Sequence, residues 1–138
     1  MFERLIIVFT IALAVVACWA ILRVVQQRRM RTLATERPFD GIVPAGRPTI
    51  VAFSLPSCRE CRTRQIPALN RLGAQLGDHV GVQTLSAADH PELVERLGLM
   101  TVPATAVLDA HGVLRFLNHG FADEQHLNQQ LQTLAYTK

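Results

Sequence analysis

From Leu5 to Leu22 the chain reads LIIVFTIALAVVACWAIL, with no charged side chain, and Val24 and Val25 carry the apolar character past Arg23. At about 1.5 Å rise per residue, roughly 20 residues of helix match a hydrocarbon layer about 30 Å thick. A buried helix of a soluble domain would show a polar stripe, and none is visible, so residues 1–25 read as a membrane-spanning anchor. The remainder of the 138 residues has room for one compact domain but not for two large ones.

Two other uses of the apolar run are disfavoured by the residues at its end. A cleavable leader would be shorter and would give way to a polar start, whereas Cys18-Trp19-Ala20 continues into Ile21 and Leu22. Val15-Val16-Ala17-Cys18 also resembles a bacterial lipid-attachment box, but the same apolar continuation replaces the polar tether expected there. Cys18 is read as a small apolar side chain within the helix.

The formal charge of +3 and the pI near 9.1 suggest an acidic partner until their location is examined. Arg4, Arg23, Arg28, Arg29, Arg31 and Arg37 against Glu3 and Glu36 give residues 1–37 a charge of +4, which leaves −1 for residues 38–138. A nucleic-acid binder needs a basic face interleaved with aromatics, and a nearly neutral domain with 6% aromatics excludes that class. The five arginines between Arg23 and Arg37 outweigh Arg4 and the amino terminus on the other flank, which by the positive-inside rule places the domain in the cytoplasm. Residues 26–48, Arg-rich and then broken by Pro38, Gly41, Pro44, Gly46 and Pro48, read as a juxtamembrane segment and linker. Its arginines lie against anionic headgroups or are simply solvated.

From Thr49 the pattern changes. Thr49–Leu55 is a β-rich apolar run suited to a strand buried on both faces. Ile66, Leu69, Leu72 and Leu76 have helical spacing, with Cys58 and Cys61 at the start of that helix and Gly77 after its end. Val80–Leu85 is a second strand, and Pro91 opens a short helix carrying Leu93, Val94 and Leu97. Thr105–Asp109 and Val113–Asn118 form a hairpin, and a last helix carries Leu127, Leu131 and Leu134 on one face, with Asp123 near its cap. The βαβ step demands a parallel pair and the hairpin an antiparallel one. Residues 49–138 are therefore expected to form an α/β domain with a mixed sheet and helices on both faces.

Three cysteines are too few for a disulfide scaffold, so the close pair Cys58 and Cys61 stands out. A helix start offers free N–H groups and the positive end of a dipole to a thiolate at Cys58, and Arg59, Arg62 and Arg64 add positive charge against Glu60. A Cys58 thiol more acidic than a free one is expected. Spacing of i, i+3 puts both sulfurs on one side of the first turn, within bridging reach. The pair also has the form of half a zinc site, but no second CxxC or closely spaced histidine pair exists to close it, and an inert pair is the remaining alternative.

The segment from about Pro48 to Leu134 resembles the thioredoxin family. The likeness rests on the CxxC after a buried strand, Pro67 in the following helix, Thr101-Val102-Pro103-Ala104-Thr105 before the next strand, the hairpin, and Gly120 before the last helix. The resemblance implies a thiol-disulfide oxidoreductase with a minimal thioredoxin-like fold, since residues 38–48 are too few for an extra strand and helix. It implies Cys58 as nucleophile, Cys61 as resolving cysteine, and Pro103 as a cis-proline beside them. Val102 would pair its backbone with the substrate chain, with Thr101 and Gly120 adjoining. Protein disulfides or dithiols would be the substrates, a second redox protein would recycle the pair, and no cofactor or metal is implied. The direction of electron flow follows the reduction potential, which spans about −270 to −120 mV among such proteins.

Departures from the family are specific. Ser57 replaces the usual aromatic, Arg59-Glu60 replaces Gly-Pro, and Ala52 stands where a buried aspartate is usual; no lysine lies on Val80–Leu85. Glu60, or a water, is the candidate proton acceptor in that aspartate's place, and Glu60 reads equally as a solvent-facing carboxylate. His119, just before Gly120, reads as a surface histidine. Anchored proteins of this kind in bacteria often face outward, against the arginine rule. The rival reading is a non-enzymatic, membrane-tethered adaptor or metal-binding module of the same fold.

Overall fold

The computed structural model describes residues 1–136, and the chain divides into two compact units, Met1–Thr32 and Leu33–Lys138. The first unit is most of one long helix, α1 (Phe2–Glu36). Along its apolar stretch Leu5, Phe9, Trp19, Ile21 and Leu22 are all more than half exposed. α1 is long and apolar enough to cross a membrane. Thr10 hides its hydroxyl by donating to the Ile7 carbonyl, 2.9 Å away, and the Arg23 guanidinium lies 5.0 Å from the centre of the Trp19 ring, one turn back. The helix runs on through the arginine-rich segment because QQRRMRTLATE holds good helix formers and neither glycine nor proline.

The second unit starts ahead of residue 49. Leu33, Pro38, Phe39 and Val43 are buried within it, so part of the stretch read as a linker supplies core. The Phe39 ring lies 6.2 Å from that of Phe53, tilted at 49°. The remaining elements are β1 (Thr49–Ser54), a π-helical turn (Cys61–Gln65), α2 (Ile66–Leu76), a 3₁₀ turn (Gly77–His79), β2 (Gly81–Ser86), α3 (Pro91–Leu97), β3 (Ala104–Leu108), β4 (Leu114–His119) and α4 (Glu124–Tyr136). The strands form one mixed sheet in the order β2-β1-β3-β4, with β1 parallel to β2 and antiparallel to β3, and β3 antiparallel to β4.

Alternation along β1 divides the core. Ile50 and Ala52 join Val107 beneath Leu69 and Leu72 of α2 and Leu127 and Leu131 of α4. Val51 and Phe53 point the other way, as a strand's period of two requires, and both are fully buried. Phe39 sits against Phe53 there. α3 buries Leu93 and Leu97, neither of which belongs to the cluster under α2 and α4. Each such leucine contributes roughly 1.5–3 kcal/mol by leaving water.

Candidate active site

The strand register brings four chain segments to one end of the sheet. β1 ends at Ser54, opposite Ser86 at the end of β2, and its Phe53 pairs with Ala104, the first residue of β3. Ala104 in turn pairs with His119, the last residue of β4. The segments that leave or enter the sheet here are Leu55–Cys61, Ala87 onward, Thr101–Pro103 and Gly120–Ala122.

In the first of them the Cys58 N–H donates to the Leu55 carbonyl at 3.0 Å, closing a turn. Cys58 and Cys61 form a disulfide with an S–S distance of 2.18 Å and a Cα–Cα distance of 5.4 Å. Their surroundings differ: Cys61 is 1% exposed, while Cys58 is only half-buried. The Cys61 N–H also points at the Cys58 sulfur, 3.1 Å away. Such a donor favours negative charge on that sulfur. An external sulfur can therefore reach Cys58 but not Cys61.

The helix after the pair is not the regular one that the leucine spacing suggests. Residues Cys61–Gln65 form a π-helical turn, in which the Ile66 N–H reaches back to the Cys61 carbonyl. The cause lies in Pro67, which has no N–H to give and whose ring would collide with the Thr63 carbonyl in a regular helix. One wider turn removes the conflict, and wide turns of this kind recur at functional sites. Regular geometry resumes from Ile66 to Leu76.

The wide turn places a residue that the sequence reading missed. Gln65 is 1% exposed; its Nε2 donates to the Ala122 carbonyl and its Oε1 accepts the Ala122 N–H, each at 3.0 Å. This pair of bonds clamps the loop before α4 onto the helix that carries the cysteines. A signal was present: Gln65 is a polar residue at helical spacing between Cys61 and Leu69, on a stripe that is otherwise buried.

The Val102–Pro103 peptide bond is cis, with Pro103 buried, Val102 half-buried and Thr101 exposed. Gly120 takes a left-handed conformation, φ 83°, where the chain leaves β4, and His119 is exposed beside it. An open groove of about 380 Å³ adjoins, lined by Leu55, Ala87, Val94, Leu99, Met100 and Val102 among others. Met100 is 91% exposed.

Charge at the site is confined to its rim. Glu60 is exposed and bonds Arg64 at 2.9 Å, and no hydrogen bond ties it to either cysteine among the described residues. The Arg64 guanidinium also lies 4.2 Å from the centre of the Phe121 ring. Arg62 donates to the Pro56 carbonyl at 3.0 Å, while Arg59 is exposed. Ala52, 1% exposed, lies within the apolar cluster. Among the described residues, no group of three or more His, Cys, Asp and Glu side chains gathers as a metal site.

No protein-family model and no curated protein matches the sequence, but solved structures match the fold. The exposed lipoprotein thioredoxin of Streptococcus pneumoniae superposes with a TM-score of 0.55 at 20% identity, over 64% of this chain and 85% of that one. Chloroplastic thioredoxin z gives 0.59 at 15% identity, over 66% and 80%. Thioredoxin-2 of the malaria parasite gives 0.60 at 13% identity, over 68% and 89%. The chain therefore has a thioredoxin-like fold, with a mixed sheet and an apolar N-terminal helix ahead of it.

Proposed function

We propose that the chain is a membrane-anchored thiol-disulfide oxidoreductase that exchanges disulfides with protein substrates through Cys58 and Cys61. The observation that carries this reading is the asymmetric disulfide, with a reachable Cys58 and a sealed Cys61, at the sheet end where Thr101–Pro103 also enters β3. In the oxidised form, a substrate thiolate attacks the Cys58 sulfur, the Cys58–Cys61 bond breaks, and Cys61 leaves as a thiolate and takes up a proton. A second substrate thiolate then attacks the substrate sulfur of the mixed disulfide, releasing Cys58. The substrate ends as a disulfide and the pair holds two electrons. The reverse sequence reduces a substrate, with Cys58 as nucleophile and Cys61 resolving.

In this reading Val102 offers its backbone to an extended substrate, and Thr101 and Gly120 flank it. Glu60 is engaged with Arg64, so water on the Cys58 side, rather than this carboxylate, carries the proton of the resolving step. A separate dithiol or disulfide protein resets the pair. α1 serves as the anchor, and the arginine flank favours a cytoplasmic domain, which protease accessibility in intact and opened cells tests.

The test is a glutathione redox titration of the full chain in non-ionic detergent, with Cys18→Ala so that only the pair reads, followed by alkylation and mass analysis. A reversible two-electron transition is expected, and its midpoint sets the direction of flow. Cys61→Ser should trap substrates covalently on Cys58. A folded, metal-free protein that forms no disulfide in the titration would overturn the proposal and leave the adaptor or metal-binding reading.

A further inference from the structure

The positive charge of the domain is concentrated at its reacting pair. Residues 38–138 carry −1 in total, yet residues 57–64, SCRECRTR, contribute +2 through Arg59, Arg62 and Arg64 against Glu60, which leaves −3 for the rest. Glu60 is already spent on Arg64. Arg59 and Arg62 pair with no carboxylate among the described residues, and both are exposed. Arg62 is also held in place, since its bond to the Pro56 carbonyl fixes it over the turn that delivers Cys58. Arg62 lines a shallow hollow together with Leu55 and Pro56, and Leu55 is shared with the apolar groove that runs to Met100 and Val102. A basic edge and an apolar seat thus meet at Leu55, whose carbonyl receives the Cys58 N–H.

We infer that the preferred partner of this site is a protein cysteine pair flanked by carboxylate side chains, with an apolar residue nearby that seats in the groove beside Met100. The inference rests on the oxidoreductase reading and narrows it to a substrate class. Carboxylates next to the reacting sulfur approach Arg59, which follows Cys58 directly, and Arg62, one turn on, and opposite charges brought that near attract appreciably even beside water. A lysine-flanked pair meets repulsion at the same place. Such selection appears in the second-order rate of exchange and weakens with salt.

The experiment measures second-order rates of disulfide exchange between the full chain, with Cys58 and Cys61 first reduced and the reductant removed, in non-ionic detergent, and three peptide disulfides. The peptides are identical except for Glu, Gln or Lys on both sides of the reacting cysteine, and each rate is divided by that peptide's rate with dithiothreitol to remove intrinsic reactivity. At low salt the order Glu, Gln, Lys is expected, with about a tenfold span that contracts to about twofold in half-molar salt, where the screening length is only a few ångströms. Arg59→Glu, which removes no side-chain hydrogen bond or ion pair among the described residues, should flatten or invert the order, and Arg62→Gln should narrow it. Arg71→Gln, remote from the pair and bonded to Glu124, should preserve it. Replacing the apolar residue of the Glu peptide by Ser should slow that peptide severalfold, and Met100→Glu should slow the Glu peptide more than the Lys peptide.

Equal rates for the three peptides, or an order that survives Arg59→Glu, would overturn the inference while leaving the exchange chemistry intact. No exchange with any peptide, while the same peptides react with dithiothreitol, would remove the oxidoreductase reading and the preference with it.

Discussion

Replacing Gln65 tests whether the loop before α4 is held by one side chain. Its amide is buried and both ends are used on Ala122, so Gln65→Leu leaves one N–H and one carbonyl without partners in a dry place. Each costs about 1–3 kcal/mol, and the added apolar burial returns about 1 kcal/mol, for a net loss of about 1–5 kcal/mol. Gln65→Glu gives a sharper result, because a carboxylate keeps the acceptor for the Ala122 N–H but sets a charge against the Ala122 carbonyl. Burial and that carbonyl favour the protonated form, which restores a donor, so the folded-state pKa of the new carboxyl should rise above its unfolded value of about 4.3. A raised carboxyl pKa means the folded state binds the proton more tightly. This variant should therefore lie nearest the parent below about pH 4 and lose ground as the pH climbs to the raised value. Pulse proteolysis across a urea series reports the stability of the domain in the full chain. A Gln65→Leu protein within about 1 kcal/mol of the parent, or a Gln65→Glu protein whose deficit ignores pH, would refute the clamp.

Three further substitutions probe the frame around the site. Asp109 accepts the N–H groups of His111 and Val113 and a bond from Arg115 Nε at 2.8 Å. Burial alone would raise its pKa, but the Arg115 bond, the two backbone bonds and the Arg115 charge outweigh it and hold the carboxyl below its ordinary value. Asp109→Asn should cost about 1 kcal/mol at pH 7; because the folded pKa is lowered, the difference should vanish as acid unfolding curves pass below that pKa. Gly81 pairs with Thr49, and an added Cβ would come within 2.8 Å of Thr49 Oγ1 and 3.2 Å of its Cγ2. Gly81→Ala should lose about 1–3 kcal/mol in urea melts, and adding Thr49→Ala should recover most of it; no recovery would assign the loss to the backbone instead. Ala52→Asp sets a carboxyl in the apolar cluster, where burial raises its pKa and costs roughly several kcal/mol at pH 7 and less in acid. Urea melts at both pH values should show that gap close.

The strands of the domain were legible almost to the residue because β-branched and apolar runs sit between Gly, Pro and Asp punctuation. Thr49–Leu55 became Thr49–Ser54, and Val113–Asn118 became Leu114–His119. The cysteine pair was legible because its CxxC spacing stands at a strand's end, and the structure joins the two sulfurs there. Side-chain periodicity reports which residues share a face but does not count backbone bonds, so it could not register the wide turn at Cys61–Gln65. The pairing of Gln65 with Ala122 joins residues far apart in the chain, and nothing local to either forecasts it. Pro38, Phe39 and Val43 were hidden by their neighbours: glycines and prolines suggest a linker, and the contact between the Phe39 and Phe53 rings joins residues too far apart in the chain for local pattern to reveal it.

Whole-chain charge concealed the electrostatics of the site. The +4 on residues 1–37 dominates the total of +3, so a formal count suggests a basic protein, and subtracting those residues suggests a neutral one. Neither describes the field that a partner meets at Cys58. At physiological salt, charges farther than about 8–10 Å are largely screened, so the −3 spread over the rest of the domain and the +2 around the pair act as separate fields. Under the proposed preference, an acidic partner gains nothing from the domain at a distance and is drawn only when its carboxylates come within reach of Arg59 and Arg62. Such a field selects orientation more than capture. For a disulfide exchange that requires three sulfurs in line, orientation at the point of contact is the quantity that sets the rate.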